Sequence, residues 1–354
     1  MTEDVTGQAR RGSPGLGWRW LLALGLLLAV AVALLWIGWS EGHPREERRL
    51  RVLVQDRLSD WFPQDMAPEP GWHGLHARVV PAAATGPRVL LVHGLDEPGS
   101  IWDDLVPALG EAGFEVWEFR YPNDQGIDRS ADYLAERWTD LPGDRPVVLI
   151  GHSMGGLVAR DFVSRLRHPV GSAAPGTGPA VSGVILVGTP NQGSEWARLR
   201  AWLELRDQFP TGRGRRFSLF AALRDGTGAA KIDLRPGSDF LRGLNARPWP
   251  SAVPILAIQG RLLAPPDLSA GLDAAAAEAG SDDLRRRLRD WWSSMGEGLG
   301  DGVVTLDSAR LADGTESLIL DASHRGLLVR LLPGDPEPPA VAPILATLRQ
   351  WAGL

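Results

Sequence analysis

The sequence predicts a doubly wound, mainly parallel α/β sheet preceded by a membrane-spanning helix. Three observations carry this reading. Short apolar runs without polar alternation recur between helix-like stretches, the pattern of parallel strands covered on both faces. One of them, Pro146 to Ile150, feeds straight into Gly151-His152-Ser153-Met154-Gly155-Gly156, where a strand must turn abruptly into a helix. From Trp20 to Trp39 no residue is charged.

The uncharged stretch comes first in the chain. Leu, Ala and Val dominate it, and Trp18, Trp20, Trp36 and Trp39 stand at its ends, where aromatic rings suit the headgroup belts. About 20 apolar residues cover a hydrocarbon core of ~30 Å. A cleaved signal peptide would have a shorter apolar region ending in small residues, and Trp36-Ile37-Gly38-Trp39-Ser40-Glu41 offers no such site. Residues 18–39 therefore read as an uncleaved single-pass anchor behind an N-terminal tail, 1–17. Arg10, Arg11 and Arg19 precede it while Arg45, Arg48, Arg49 and Arg51 follow it, so the arginine count does not hold the N-terminus inside. A single N-terminal anchor ahead of one large domain most often serves export, which puts the expected domain on the extracytoplasmic, periplasmic side.

Residues 40–73 form the expected linker. Arg45 to Trp61 can make a short amphipathic helix, and the Pro/Gly-rich stretch from Pro63 to Gly74 marks a boundary. In the domain that follows, 74–354, strands are predicted at Leu75–Val80, Arg88–His93, Phe114–Phe119, Pro146–Ile150, Val181–Gly188, Val253–Gly260 and Ser317–Leu320. Helices are predicted at Ile101–Ala112, Asp128–Leu141, Met154–Arg167 and Val341–Trp351. Residues 191–250 contain helix-like pieces, Glu195–Gln208 and Phe217–Leu223, and no strand, which predicts a helical cap inserted over the sheet. Trp196, Leu199, Trp202, Leu203 and Leu205 give that cap an apolar face.

Composition excludes some functions. With 354 residues, 44% of them hydrophobic and 23% charged, the chain can bury a full-sized core. A net charge of −6 and the lack of a basic stripe argue against a nucleic-acid partner. There is no cysteine, hence no disulfide, thiol nucleophile or zinc-thiolate site.

The strand-turn-helix at Ser153 is a nucleophile elbow, with glycines at 151 and 155 keeping the crossing clear. A serine hydroxyl needs a histidine base and an acid to orient that base. On this arrangement the chain order is serine, acid, histidine, and only His168 and His324 follow Ser153. His168 ends the helix that starts at the elbow, about 22 Å away at ~1.5 Å per residue, so His324 is the base. The acid is Asp301, set between two glycines in Gly300-Asp301-Gly302-Val303-Val304, with Asp267 and then Asp307 as alternatives. An oxyanion hole needs two backbone amides; Met154, after the nucleophile, and Leu95, after the strand ending in His93-Gly94, supply them. His93 itself only shapes that loop.

Val92-His93-Gly94-Leu95, Gly151 to Gly156, Gly188-Thr189-Pro190-Asn191-Gln192-Gly193-Ser194 and Gly300 to Val304 resemble the bacterial lipase branch of the α/β-hydrolases. The match is also similar to membrane-associated deacylases that remove an acyl chain from glycolipid anchors. The resemblance implies that the Gly-Thr-Pro segment leads into a mobile lid and that the Asp-Gly pair carries the triad acid, supporting Asp301. Asn191 stands where many of those lipases have a histidine, their paired cysteines are missing, and no calcium-binding set carries over. No cofactor or metal is expected. The expected activity is hydrolysis of carboxylic esters, with lipid acyl esters as substrate. A thioesterase, amidase or acyltransferase would use the same triad, and a non-catalytic, membrane-tethered scaffold is the reading from another class.

Overall fold

A computed structural model of the chain describes residues 16–69, 71–84, 86–95, 99–143, 145–171, 177–194, 224–262, 287, 298–311, 314–315, 317–332 and 334–354. It separates into two compact units, residues 1–47 and 48–354.

In the first unit helix α1, Leu16–Gly42, is a single long helix. Leu24, Leu27, Leu28, Leu34 and Leu35 are all exposed, so the helix has no protein core to serve. Among the described residues it is the one helix long and apolar enough to cross a membrane, over Ala23–Gly42. Only His43 separates it from α2, Pro44–Trp61.

The second unit is built on a seven-stranded sheet: β1 Gly74–Val79, β2 Arg88–Val92, β3 Val116–Arg120, β4 Val147–His152, β5 Val181–Val187, β6 Ile255–Arg261 and β7 Ser317–Asp321. The order is β1-β3-β2-β4-β5-β6-β7; β1 runs antiparallel to β3 and every other pairing is parallel. All seven predicted strands are present, within two residues at either end. Two cores flank the sheet because successive side chains point to opposite faces. On β2, Leu90 and Val92 meet α5 (Ile127–Arg137) and α6 (Met154–Asp161) through Leu134, Leu157 and Val158. Val89 and Leu91 face the other way, toward Leu105 and Leu109 of α4 (Leu105–Glu111) and Ile344 and Leu348 of the C-terminal helix, Val341–Ala352. Both faces being covered is why the strands read as unbroken apolar runs.

Three predicted helices change type along their length. Ile101–Ala112 is a 3₁₀ turn, Ser100–Trp102, followed by α4, because Pro107 has no N–H to continue the ladder back to Asp103. Asp128–Leu141 tightens into 3₁₀ geometry over Trp138–Asp140. Met154–Arg167 widens into a π-helix at Phe162–Arg167, where the Ser164 hydroxyl donates to the Arg160 carbonyl at 2.8 Å and His168 N donates five residues back to Val163.

Of the expected cap, residues 195–223, which include both helix-like pieces, lie outside the described residues. Its later part contains two helices, α7 Ala229–Asp233 and α8 Asp239–Ala246, the second capped by the Ser238 hydroxyl accepting from Leu241 N. Fully buried Asp233 takes Arg48 of α2 at 2.6 Å and the amide of Ile127, at the start of α5, at 3.0 Å. Arg48 also reaches Asp128 at 2.8 Å. Burial pushes the Asp233 carboxyl up to about 6, against the opposing pull of Arg48.

Removing that cation should therefore cost pH-dependent stability. At pH 8, well above the value of about 6 that Asp233 has with Arg48 beside it, Arg48→Ala leaves the buried carboxyl either charged without its partner or protonated at a cost, and unfolding in urea should come about 3 kcal/mol more easily. At pH 5 the carboxyl carries a proton, the buried charge is gone, and the deficit should shrink. Equal deficits at both pH values would contradict this account of the pair.

Candidate active site

The parallel strands deliver their carboxyl ends to one edge, the edge at which this topology exposes side chains between the loops. Ser153 sits there, directly after β4. It is the one non-glycine residue with positive φ among the described residues, at φ 54° and ψ −128°. A conformation of this kind costs on the order of 1–3 kcal/mol and persists only where the surroundings enforce it. They do so through the Ser153 N–H, which donates to Val187 O at 2.9 Å, and through small residues at the crossing. A Cβ on Gly155 would strike the carbonyl oxygens of Val92 and His93, so the start of α6 lies directly on the end of β2. Gly94, on the same strand exit, packs so close that a Cβ there would stand 2.8 Å from that of Ser153.

Asp301 and His324 come from the loops after β6 and before the last helix. The turn at Asp301 has φ of +56° at Gly300 and +92° at Gly302, which is why the acid lies between glycines. Oδ1 of Asp301 accepts from the amides of Val303 at 2.9 Å and Val304 at 2.8 Å. Its other oxygen, Oδ2, accepts from Nδ1–H of His324 at 2.7 Å, and His324 N donates to the Asp301 carbonyl at 2.9 Å. The carboxylate is 2% exposed, so every oxygen position matters: an unsatisfied charge there would be expensive. With Nδ1 committed as donor, Nε2 of His324 is left as the acceptor.

The Asp301–His324 pair and the turn at Ser153 are neighbours. The His152 and His324 rings lie 4.6 Å apart between centroids, and His152 Nε2 donates to the His324 carbonyl at 3.2 Å. Gly188, one residue beyond the acceptor of the Ser153 amide, faces both partners: a Cβ there would come within 3.1 Å of the His324 ring and 3.2 Å of Asp301 Oδ2. Among the described residues no hydrogen bond joins Ser153 Oγ to the imidazole; bonds between such groups are often long or unmade before substrate binds.

The two amides expected to form an oxyanion hole sit on either side of the serine, Met154 buried as the first residue of α6 and Leu95 half-buried after β2. The β2 exit is held by Tyr121, whose hydroxyl donates to the His93 carbonyl at 2.6 Å and whose ring stacks on His93 at 4.6 Å. Burial pushes the Tyr121 phenol up, keeping it a donor. His93 Nδ1 in turn donates to Gly94 O at 2.8 Å, so this imidazole braces the loop. Tyr121 lies in no motif, and His152, although it is the variable residue of the elbow, had no role that the sequence could assign.

The other candidates fall away from this centre. His168 accepts from Val181 N at 3.4 Å, at the entry end of β5 and hence the opposite edge of the sheet. Asp307 is 85% exposed and faces Arg310. Asp267 lies outside the described residues. Asn191 is buried and structural: its Oδ1 accepts from Arg160 at 2.9 Å, and its Nδ2 donates to Ala309 O at 2.6 Å. Among the described residues no cluster of three or more metal-binding side chains occurs.

A strained serine at a parallel-sheet edge, with a buried Asp-His pair beside it, matches one family. The model of the alpha/beta hydrolase family aligns with residues 89–352. The chain belongs to that family. Among curated relatives of this alpha/beta hydrolase, lipase LipV of Mycobacterium tuberculosis is 37% identical over 86 residues, 21% of this chain and 31% of that protein. Nonribosomal peptide synthetase agiA of Aspergillus flavus is 33% identical over 94 residues, 25% of this chain and 1% of that one. The aligned part thus spans less than a third of either relative. Of solved structures, the metagenomic carboxyl esterase MGS0156 superposes with a TM-score of 0.51 at 19% identity, covering 86% of this chain and 91% of that one. This likeness is one of fold.

The close approach at the elbow has a measurable cost. Gly155→Ala should lower stability by about 1–3 kcal/mol, because the backbone carbonyls of β2 cannot move aside. Gly243→Ala in α8, where a Cβ meets nothing within 4 Å, should be neutral or stabilising by about 0.5–1 kcal/mol. Urea denaturation of both variants separates the two; a harmless Gly155→Ala would mean that the elbow is not packed on β2.

Proposed function

We propose that this alpha/beta hydrolase is a membrane-anchored serine hydrolase of carboxylic esters, with lipid acyl esters as its substrate class. The observation that carries the reading is the buried Asp301–His324 bond of 2.7 Å next to a serine held at φ 54°. Strain that exposes one hydroxyl, beside an imidazole whose tautomer is set, is the arrangement that makes serine nucleophilic.

In this reading Ser153 Oγ attacks the ester carbonyl carbon while His324 Nε2 takes the hydroxyl proton. Asp301 holds the imidazole in place and stabilises the imidazolium without taking the proton itself. The negative charge developing on the carbonyl oxygen is met by the amides of Met154 and Leu95. His324 then gives its proton to the departing alkoxide, leaving an acyl-serine. Water, deprotonated by the same nitrogen, releases the acid and restores Ser153. Helix α1 supplies the anchor: its Ala23–Gly42 segment of 20 residues spans about 30 Å at ~1.5 Å per residue.

Hydrolysis of p-nitrophenyl esters tests the chemistry. Ser153→Ala and His324→Ala should each lower kcat on the order of 10⁶-fold, and Asp301→Asn on the order of 10⁴-fold, with the fold intact by circular dichroism. A near-neutral Asp301→Asn would remove Asp301 from the mechanism. Across acyl chain length, kcat/KM should rise from acetate toward long chains; a maximum at acetate would replace the lipid substrate with small soluble esters.

A further inference from the structure

Helix α2 has apolar residues on both sides. The side turned to protein, where Val52 and Leu58 are half-buried, is fixed by polar contacts: Arg48 binds Asp233 and Asp128, Arg51 donates to the Thr227 carbonyl, Asp56 pairs with Arg129 of α5 at 2.7 Å, and Gln55 is buried. Thr227 answers with its own hydroxyl, which donates to Arg51 O at 2.7 Å. The opposite face carries Leu50, Leu53 and Val54, with Trp61 on the same side one turn beyond Arg57, and Phe62 follows directly after the helix. These five are 40%, 51%, 41%, 69% and 40% exposed. Exposed apolar residues gathered on one side of a helix already fixed by its other side mark a contact surface.

We propose that this surface lies in the lipid headgroup region, so that α2 lays the catalytic domain on the bilayer surface. The inference rests on the reading of α1 as a membrane anchor. The argument for lipid as the occupant is covalent: one residue, His43, joins Gly42 at the end of α1 to Pro44 at the start of α2. A helix of 18 residues, about 27 Å long, thus begins where the chain leaves the hydrocarbon. Exposed Arg57 and Glu46 stand on the same side as these apolar residues, where their stems can lie along the apolar surface with the charges in water, Arg49 and Asp60 flank them, and Trp61 and Phe62 bring aromatic rings to the helix end. This is the make-up of a helix lying in the interface plane, driven by apolar area rather than net charge.

The placement bears on the site. The segment Tyr121–Gly126 carries Tyr121 onto the His93 carbonyl beside Ser153, and the α5 N-terminus that follows it is where Arg48 docks. The domain is therefore tied to α2 through the segment that leads from the Ser153 edge of the sheet into α5.

The chain has no cysteine, so single reporters can be placed on the full-length protein. Nitroxides would be attached at Leu50→Cys, Leu53→Cys and Trp61→Cys, in nanodiscs of phosphatidylcholine and phosphatidylglycerol. Leu28→Cys in α1 serves as the hydrocarbon control, and Gln350→Cys on the C-terminal helix as the water control. Accessibility to oxygen relative to a water-soluble nickel chelate should be several-fold higher at the three α2 positions than at position 350. If they match position 350 while the label at 28 is in hydrocarbon, the anchor reading stands and this inference falls. Labels shielded from both reagents would mean that protein covers this surface, which overturns the inference equally. A water-accessible label at 28 would remove the anchor and the inference together.

Discussion

Everything at the candidate site depends on how one carboxylate is divided. Asp301 gives one oxygen to two backbone amides and the other to His324 Nδ1. The first pair of bonds fixes the acid relative to its own turn, so that the second can fix the imidazole. Without the amides, a carboxylate this deeply buried would face a desolvation cost that a single histidine could not offset. The turn exists because two glycines at positive φ let the chain fold back on the carboxylate, bringing Val303 N and Val304 N within reach. His324, in turn, owes its position to Leu262 N bonding Gly300 O and Ala322 N bonding Arg261 O, which hang both loops from the same end of β6.

Ser153, the proposed nucleophile, is placed by an independent constraint, steric exclusion. β4 and α6 can meet at a sharp angle only if the residues at the crossing lack side chains, and the end of β2 closes against them. Ser153 is the residue left protruding, held by the amide bond to Val187 in a conformation that a free chain would avoid. Tyr121 and His93 brace the neighbouring loop from behind, so the amide expected to stabilise negative charge is carried on a supported turn. Two unrelated devices, a charge-satisfied turn and a crowded crossing, thus converge at one edge of the sheet.

Most of this was legible in the sequence because it is written in local pattern. All seven strands could be read, since burial on both faces leaves runs such as Val89 to Val92 without interruption. Ser153, Asp301 and His324 stand out through glycine spacing and chain order, both consequences of backbone geometry. The readings that failed were of helix interiors: nothing local announces that the Ser164 hydroxyl will take the Arg160 carbonyl and widen the helix at Phe162. Tyr121 and His152 escaped notice because their roles arise from contacts 28 and 172 residues away. The same holds for α2, whose amphipathic pattern was visible while the side it turns to protein was set by Asp233, Asp128 and Thr227 in distant parts of the chain.

The central claim is that Ser153 is activated by His324 through the Asp301 bond. A fluorophosphonate probe, which reacts only with an activated serine, tests it most directly when the labelled peptide is identified by mass. The account predicts a single adduct on Ser153 in the folded chain, formed far more slowly in His324→Ala. No adduct, or an adduct on another serine with Ser153 unmodified, would contradict it.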